Sequence, residues 1–175
     1  MTGPDVLPAR SRAPGLARRM ASFVYDGMLL FGLGLIPGAL GASYLFANGA
    51  RATPASDAVL RTLTFILFGG YFIYFWSRRG QTLPMQTWHL KLVGPDDRPP
   101  RPARAAARVL AACLWFAPAS IVAAASGWNR WQGLAAIGVG IVVWALASLL
   151  HPQRQFWHDA LCGTRILAAE PVRRR

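Results

Sequence analysis

Arg19 and Asp26 stand seven residues apart in a stretch that is otherwise almost wholly apolar, "ARRMASFVYDGMLLFGLGL". On a 3.6-residue helix that spacing is nearly two turns, so both groups share one face, about 10 Å apart along the axis. They are too distant for a direct bond in most rotamers, and Ser22 lies between them on a similar face. An aspartate inside a bilayer costs roughly 2.5–3.5 kcal/mol on insertion scales, so it turns to the bundle interior and finds a partner there. Two uses follow. Asp26 is either a titrating proton or cation site, or a buried anion neutralised by an arginine to fix helix packing. Arg18, Arg19, Arg104 and Arg108 are the candidate neutralising partners. Arg18 also competes with Arg19 for the place beside Asp26. A packed arginine with no cavity around Asp26 supports the structural use; a polar, water-sized cavity supports transport.

The second cluster lies in "HPQRQFWHDALCGTRIL", residues 151–167. Asp159 can start a helix by accepting backbone N–H bonds, or it can pair with Arg165. A coupled role with Arg19, closing a gate, is the functional alternative. His89, His151 and His158 offer a metal site only in principle, because one nearby carboxylate is a thin ligand set. No metal and no cofactor is expected. The chain has no G-x-x-x-x-G-K, H-E-x-x-H or G-x-S-x-G, and nothing supports nucleophilic catalysis, so it does not read as an enzyme.

Long apolar helices must position these groups. Of the 175 residues, 54% are apolar and 15% charged, against about 25% charged in ordinary soluble domains. Four apolar runs stand out, at 20–46, 61–77, 109–125 and 133–150. A spanning helix needs about 20 residues, and Arg61 and Arg108 can snorkel to extend the shorter runs. The first run is too long for a signal-peptide core of roughly 7–15 residues, so it reads as an uncleaved first helix. Expected, then, is an all-α membrane bundle of about four transmembrane helices with interfacial segments. Residues 1–14 form a disordered tail, 15–168 the transmembrane domain and 169–175 a basic tail.

Charge placement gives an orientation. The net charge is +12, and Lys91 is the single lysine among 19 basic residues. Sixteen basic residues fall on the N-terminal, 78–108 and C-terminal segments, while only Arg51, Arg61 and Arg130 fall on the other side. By the positive-inside rule both termini are cytoplasmic. The same asymmetry accounts for the charge without nucleic acid, and leaves anionic lipid as a plausible contact.

Within 80–102, "TWHLKLV" alternates like a short strand or interfacial element and "GPDDRPP" is turn chemistry. Gly34 and Gly38 form a G-x-x-x-G that Gly41 continues, a face for close helix packing. Pro37 and Pro118 each remove a helical hydrogen bond. Trp76, Trp88, Trp128, Trp131 and Trp157 read as interfacial anchors. Phe156, Trp157 and Leu161 are expected to face lipid or protein. Cys113 and Cys162 have no pairing pattern and read as reduced thiols.

Three blocks in this order, "ARRMASFVYDGMLL", "GQTL…LKLV…DDRPP…RAAAR" and "WHDALCGTRIL", resemble the RDD family of bacterial membrane proteins, named for one Arg and two Asp. The resemblance covers residues 15–168. It implies that Arg19 and Asp26 are the first-helix pair, that Asp159 is the second Asp, and a link to transport of unidentified ligands. Where the family often has "GQTLGK", this chain has "GQTLPMQ": Pro84 stiffens the turn and a basic residue is gone. The resulting expectation is a bacterial inner-membrane protein linked to transport of an ion or small ligand, in the lipid bilayer and as a homo-oligomer. The rival is a non-transporting scaffold that binds a membrane-protein partner through the basic 78–108 and 151–170 segments.

Overall fold

The computed structural model describes residues 13–49 and 51–169. The terminal tails expected at 1–14 and 169–175 therefore lie almost entirely outside the described residues. Helix α1 spans Leu16–Ala47, α2 Pro54–Arg79, α3 Leu83–Thr87, α4 Pro102–Ala125, α5 Arg130–Ala147 and α6 Trp157–Leu161, with strands β1 Leu90–Val93 and β2 Arg165–Ala168. Helix starts follow local chemistry. Thr53 and Ser56 form a capping box with Pro54 in the first turn of α2, Asn129 and Gln132 form another at α5, and Pro102 opens α4. α1 continues through Pro37 and α4 through Pro118.

Among the described residues, three helical stretches are long and apolar enough to cross a membrane: Leu16–Ala47, Pro54–Arg79 and Trp131–Leu150. The fourth expected run forms α4, which is not among these three. Large apolar side chains point away from the protein, with Phe31 72%, Leu40 67% and Val139 64% exposed. Such surfaces suit lipid, because helices in a bilayer need no apolar core of their own.

The close pairs are α1 with α2, α2 with α4, and α4 with α5. Gly41 lets the Leu60 side chain lie close against α1 in the first. A Cβ there would come within 2.8 Å of the Leu60 methyls, and at Gly34 within 3.2 Å of Phe68, whereas Gly38 faces open space. The expected glycine face is thus used at two of its three positions.

The buried core lies at the end of the bundle where α1 begins and α2 stops. Leu90, Leu92, Met85, Ile166, Phe156, Trp76 and Trp144 form it. The bundle is all-α as expected, with one addition: β1 and β2 pair antiparallel, Leu90 opposite Ala168 and Val93 opposite Arg165. β1 falls within "TWHLKLV", whose alternation suits a short strand or interfacial element; its partner "RILA" has no such alternation to mark it as a strand. Two further contacts hold β1 and β2. The buried Gln155 amide donates to the Ile166 carbonyl at 3.0 Å and accepts from the Ile166 N–H at 3.1 Å. Leu92 N–H donates to the Gly80 carbonyl at 2.7 Å. Gly80 ends α2 in the left-handed region, φ 70°, and a Cβ there would lie 2.6 Å from the Leu92 carbonyl oxygen. Only glycine fits.

Candidate functional site

Three of the groups singled out on α1, Arg19, Ser22 and Asp26, lie on its buried face, whereas Arg18 is exposed. Arg19 therefore takes the place that Arg18 competed for. The seven-residue spacing does keep Arg19 and Asp26 apart, and each finds its own partners.

Asp26 is held by neutral hydroxyls. Tyr71 of α2 donates to Oδ1 at 3.1 Å, and Thr82 donates to Oδ2 at 3.0 Å. Thr82 is fully buried and also caps α3, accepting from the Met85 N–H at 3.3 Å. Among the described residues no arginine lies within ion-pair distance of Asp26. The expected neutralisation by Arg18, Arg19, Arg104 or Arg108 is therefore corrected. The physical reason is that Arg108 is engaged elsewhere and Arg19 is turned towards α5 and α6.

Asp159 is the opposite case. It is fully buried in α6, and its Oδ1 accepts from Arg108 Nε and, at 3.2 Å, from the Thr164 hydroxyl. His158 Nε2 lies 3.5 Å from the same oxygen. Asp159 does stand at a helix start, in the first turn of α6, but its side chain is not the cap: the cap residue is Phe156, with no side-chain bond. The partner of Asp159 is not Arg165, which donates to Asp97 at 2.7 Å in a solvent-facing pair. Folding β2 back onto β1 carries Arg165 to the turn after β1 and away from α6. Burial alone would push the Asp159 carboxyl up, but Arg108, His158 and Thr164 outweigh it and hold it below the usual carboxylate range. Burial pushes the His158 imidazole down to about 4; the Asp159 charge opposes this, while Arg108 and Arg19 add to it. His158 is therefore neutral at physiological pH.

Both guanidiniums lie on aromatic faces. Arg108 is 4.1 Å from the Trp76 ring centre and Arg19 is 4.3 Å from that of Phe156. Trp76 is consequently buried rather than an interfacial anchor, whereas Trp88, Trp128, Trp131 and Trp157 are exposed as expected. Phe156 packs inside the protein, stacked on Trp144 at 4.2 Å, which in turn stacks on His158 at 5.1 Å. Arg19 differs from Arg108 in having no carboxylate within ion-pair distance; the Asp159 charge acts on it through space without a hydrogen bond. Its Nη2 donates to Ser148 Oγ at 3.5 Å, and its Nε and Nη1 have no partner, nor has Ser22 Oγ.

These groups border one cavity of about 610 Å³, walled by α1, α2 and α4 with Trp144, Phe156 and His158 at its base. Arg19, Ser22, Asp26, Arg108 and His158 line it, and Asp159 does not. Among the described residues no cluster of His, Cys, Asp and Glu is arranged to hold a metal, and Cys113 and Cys162 are free thiols. Sequence reasoning missed Tyr71, Ser148 and Thr164. It quoted Thr82 only within "GQTL" and gave Arg108 to the wrong carboxylate.

Comparison with known proteins gives one match. A model of the RDD family matches residues 13–163, most of the chain, a range that includes Arg19, Asp26, Arg108 and Asp159. No curated protein and no solved structure matches.

Proposed function

We propose, for a chain that belongs to the RDD family and whose long apolar helices mark a membrane protein, a role in transport of an ion or small ligand, with Asp26 as the group that gains and loses charge. The setting of Asp26 carries this reading: it lines a large cavity and is held by two hydroxyls instead of a guanidinium. A hydroxyl can rotate and serve either protonation state of its neighbour. A guanidinium cannot, and neutralising its carboxylate would strand a buried charge at a cost of several kcal/mol. Asp26 can change charge at low cost; Asp159 cannot.

In this proposal α4 crosses the bilayer as a fourth span, and both termini face the cytoplasm of a bacterial inner membrane. The basic residues flanking β1 and β2 support that orientation. A second copy of the chain completes the pathway, since so few helices enclose little volume. The test is proton movement in proteoliposomes holding a pH-sensitive dye, under imposed sodium, potassium or chloride gradients. Wild type shifts the dye under at least one gradient and Asp26→Asn does not. Equal signals, or none from either, overturn the proposal.

The scaffold reading draws on the exposed Arg79, Arg98 and Arg101 on either side of β1. It predicts a stoichiometric protein partner in mild detergent that is lost when those three are replaced, with no proton movement in any variant.

A further inference from the structure

We infer that the cavity takes an amphipathic anion, with one hydrocarbon chain lying along α2 and a carboxylate or phosphate head at Arg19. This names the ligand class of the proposed transport site and rests on that reading only for the use of the cavity.

The first observation is shape. Leu60, Thr64, Phe68, Phe72 and Trp76 recur every fourth residue along the cavity wall, so the slot follows one face of α2 for about 24 Å. A bare ion needs no such length. A volume of about 610 Å³ equals roughly twenty waters at about 30 Å³ each, and the α2 stripe offers water almost no partners. The Thr64 hydroxyl is already spent on the Leu60 carbonyl at 2.8 Å.

The second observation is charge. The ionisable groups bordering the slot are Arg19, Asp26, Arg61, Arg108, His158 and Cys113. Arg108 is matched by Asp159, His158 is neutral, and both Asp26 oxygens hold hydroxyl donors. Arg61 is exposed at the opposite end. Arg19 is 3% exposed and has two guanidinium nitrogens without partners, one turn from a Ser22 hydroxyl that also has none. A buried cation with unspent donors is costly. An oxyanion resting on Arg19 and Ser22 satisfies both, and a chain attached to it covers the α2 stripe. A free anion leaves the stripe bare, and a neutral lipid without an oxyanion leaves the Arg19 donors unspent, since Asp159 acts on Arg19 only through space.

The experiment is equilibrium binding to the purified full chain in neutral detergent. The probes are stearate, lysophosphatidate, stearyl alcohol, acetate and inorganic phosphate. Stearate or lysophosphatidate binds about one per chain, at least tenfold tighter than stearyl alcohol, and the two head-only anions do not bind measurably. Arg19→Gln removes that tenfold preference, Arg19→Lys restores part of it, and Arg79→Gln, on the exposed surface, changes nothing. Should Arg19→Gln fail to fold, Ala112→Phe narrows the slot with the guanidinium intact and weakens both chained anions by at least tenfold. Equal binding of stearate and stearyl alcohol overturns the inference, as does tight binding of acetate or phosphate alone. Loss on Arg61→Gln in place of Arg19→Gln overturns it as well. Binding as described without proton movement sinks the transport reading and leaves the ligand class standing; proton movement without such binding does the reverse.

Discussion

Asp26 and Asp159 are both buried carboxylates, 6% and 0% exposed, and the protein treats them in opposite ways. Asp159 is locked: a guanidinium, an imidazole and a hydroxyl converge on one of its oxygens. It ties α6 to the first turns of α4 and so fixes the end of the bundle where β1 and β2 pair. Asp26 is held by hydroxyls alone and borders a cavity. The lesson is that burial by itself does not distinguish a structural charge from a working one. The partner does, because it sets what is left behind when the charge changes.

The largest effect expected from breaking this contrast is at Arg108. Arg108→Met leaves Asp159 charged and unpaired, at about 3–5 kcal/mol, and the thermal midpoint in detergent falls sharply. Adding Asp159→Leu restores most of the loss. If the double variant is no better than the single, Asp159 is not the group that Arg108 serves.

Acid comes next. His158 has a folded value of about 4, below its ordinary 6.5, so the unfolded chain takes up its proton first. The stability this contributes is complete above about pH 6.5 and is lost as pH falls towards 4, by at most about 3 kcal/mol. Asp159 is also depressed and adds loss of the same sign at lower pH. Thermal midpoints between pH 8 and pH 5 should therefore decline, and His158→Phe, which keeps a ring for Trp144 to stack on, should flatten the curve.

Smaller again is Tyr71→Phe, which removes one donor to Asp26 and costs about 1 kcal/mol. Its effect on proton movement should exceed its effect on stability, the reverse of Arg108→Met. Arg165→Gln should change stability by less than about 0.5 kcal/mol, since the Asp97 pair is solvent-facing. A large loss there would show that Arg165 serves Asp159 after all.

Much of the fold was legible because apolar runs and caps are local. The four runs, the strand in "TWHLKLV" and the glycine face around Gly41 could be read from spacing. So could the separation of Arg19 from Asp26, which helix geometry fixes. Assignment of partners could not. Nothing in the sequence ranks Arg108 above Arg165 for Asp159; that follows only once β2 folds back onto β1 and sends Arg165 towards Asp97. Tyr71 looked like one more aromatic in an aromatic helix. Trp76 stood at a run boundary, as an anchor would, and is buried because a guanidinium from a distant helix lies on its ring.

Proton movement measured on Asp26→Asn and Asp159→Asn, each normalised to monodisperse protein and paired with its thermal midpoint, tests the contrast most directly. Asp26→Asn should keep a midpoint close to wild type and move no protons, while Asp159→Asn should lose stability first and activity only in proportion to the protein that unfolds. Wild-type proton movement by Asp26→Asn, or a fall in its activity that merely follows its folded fraction, would contradict the account.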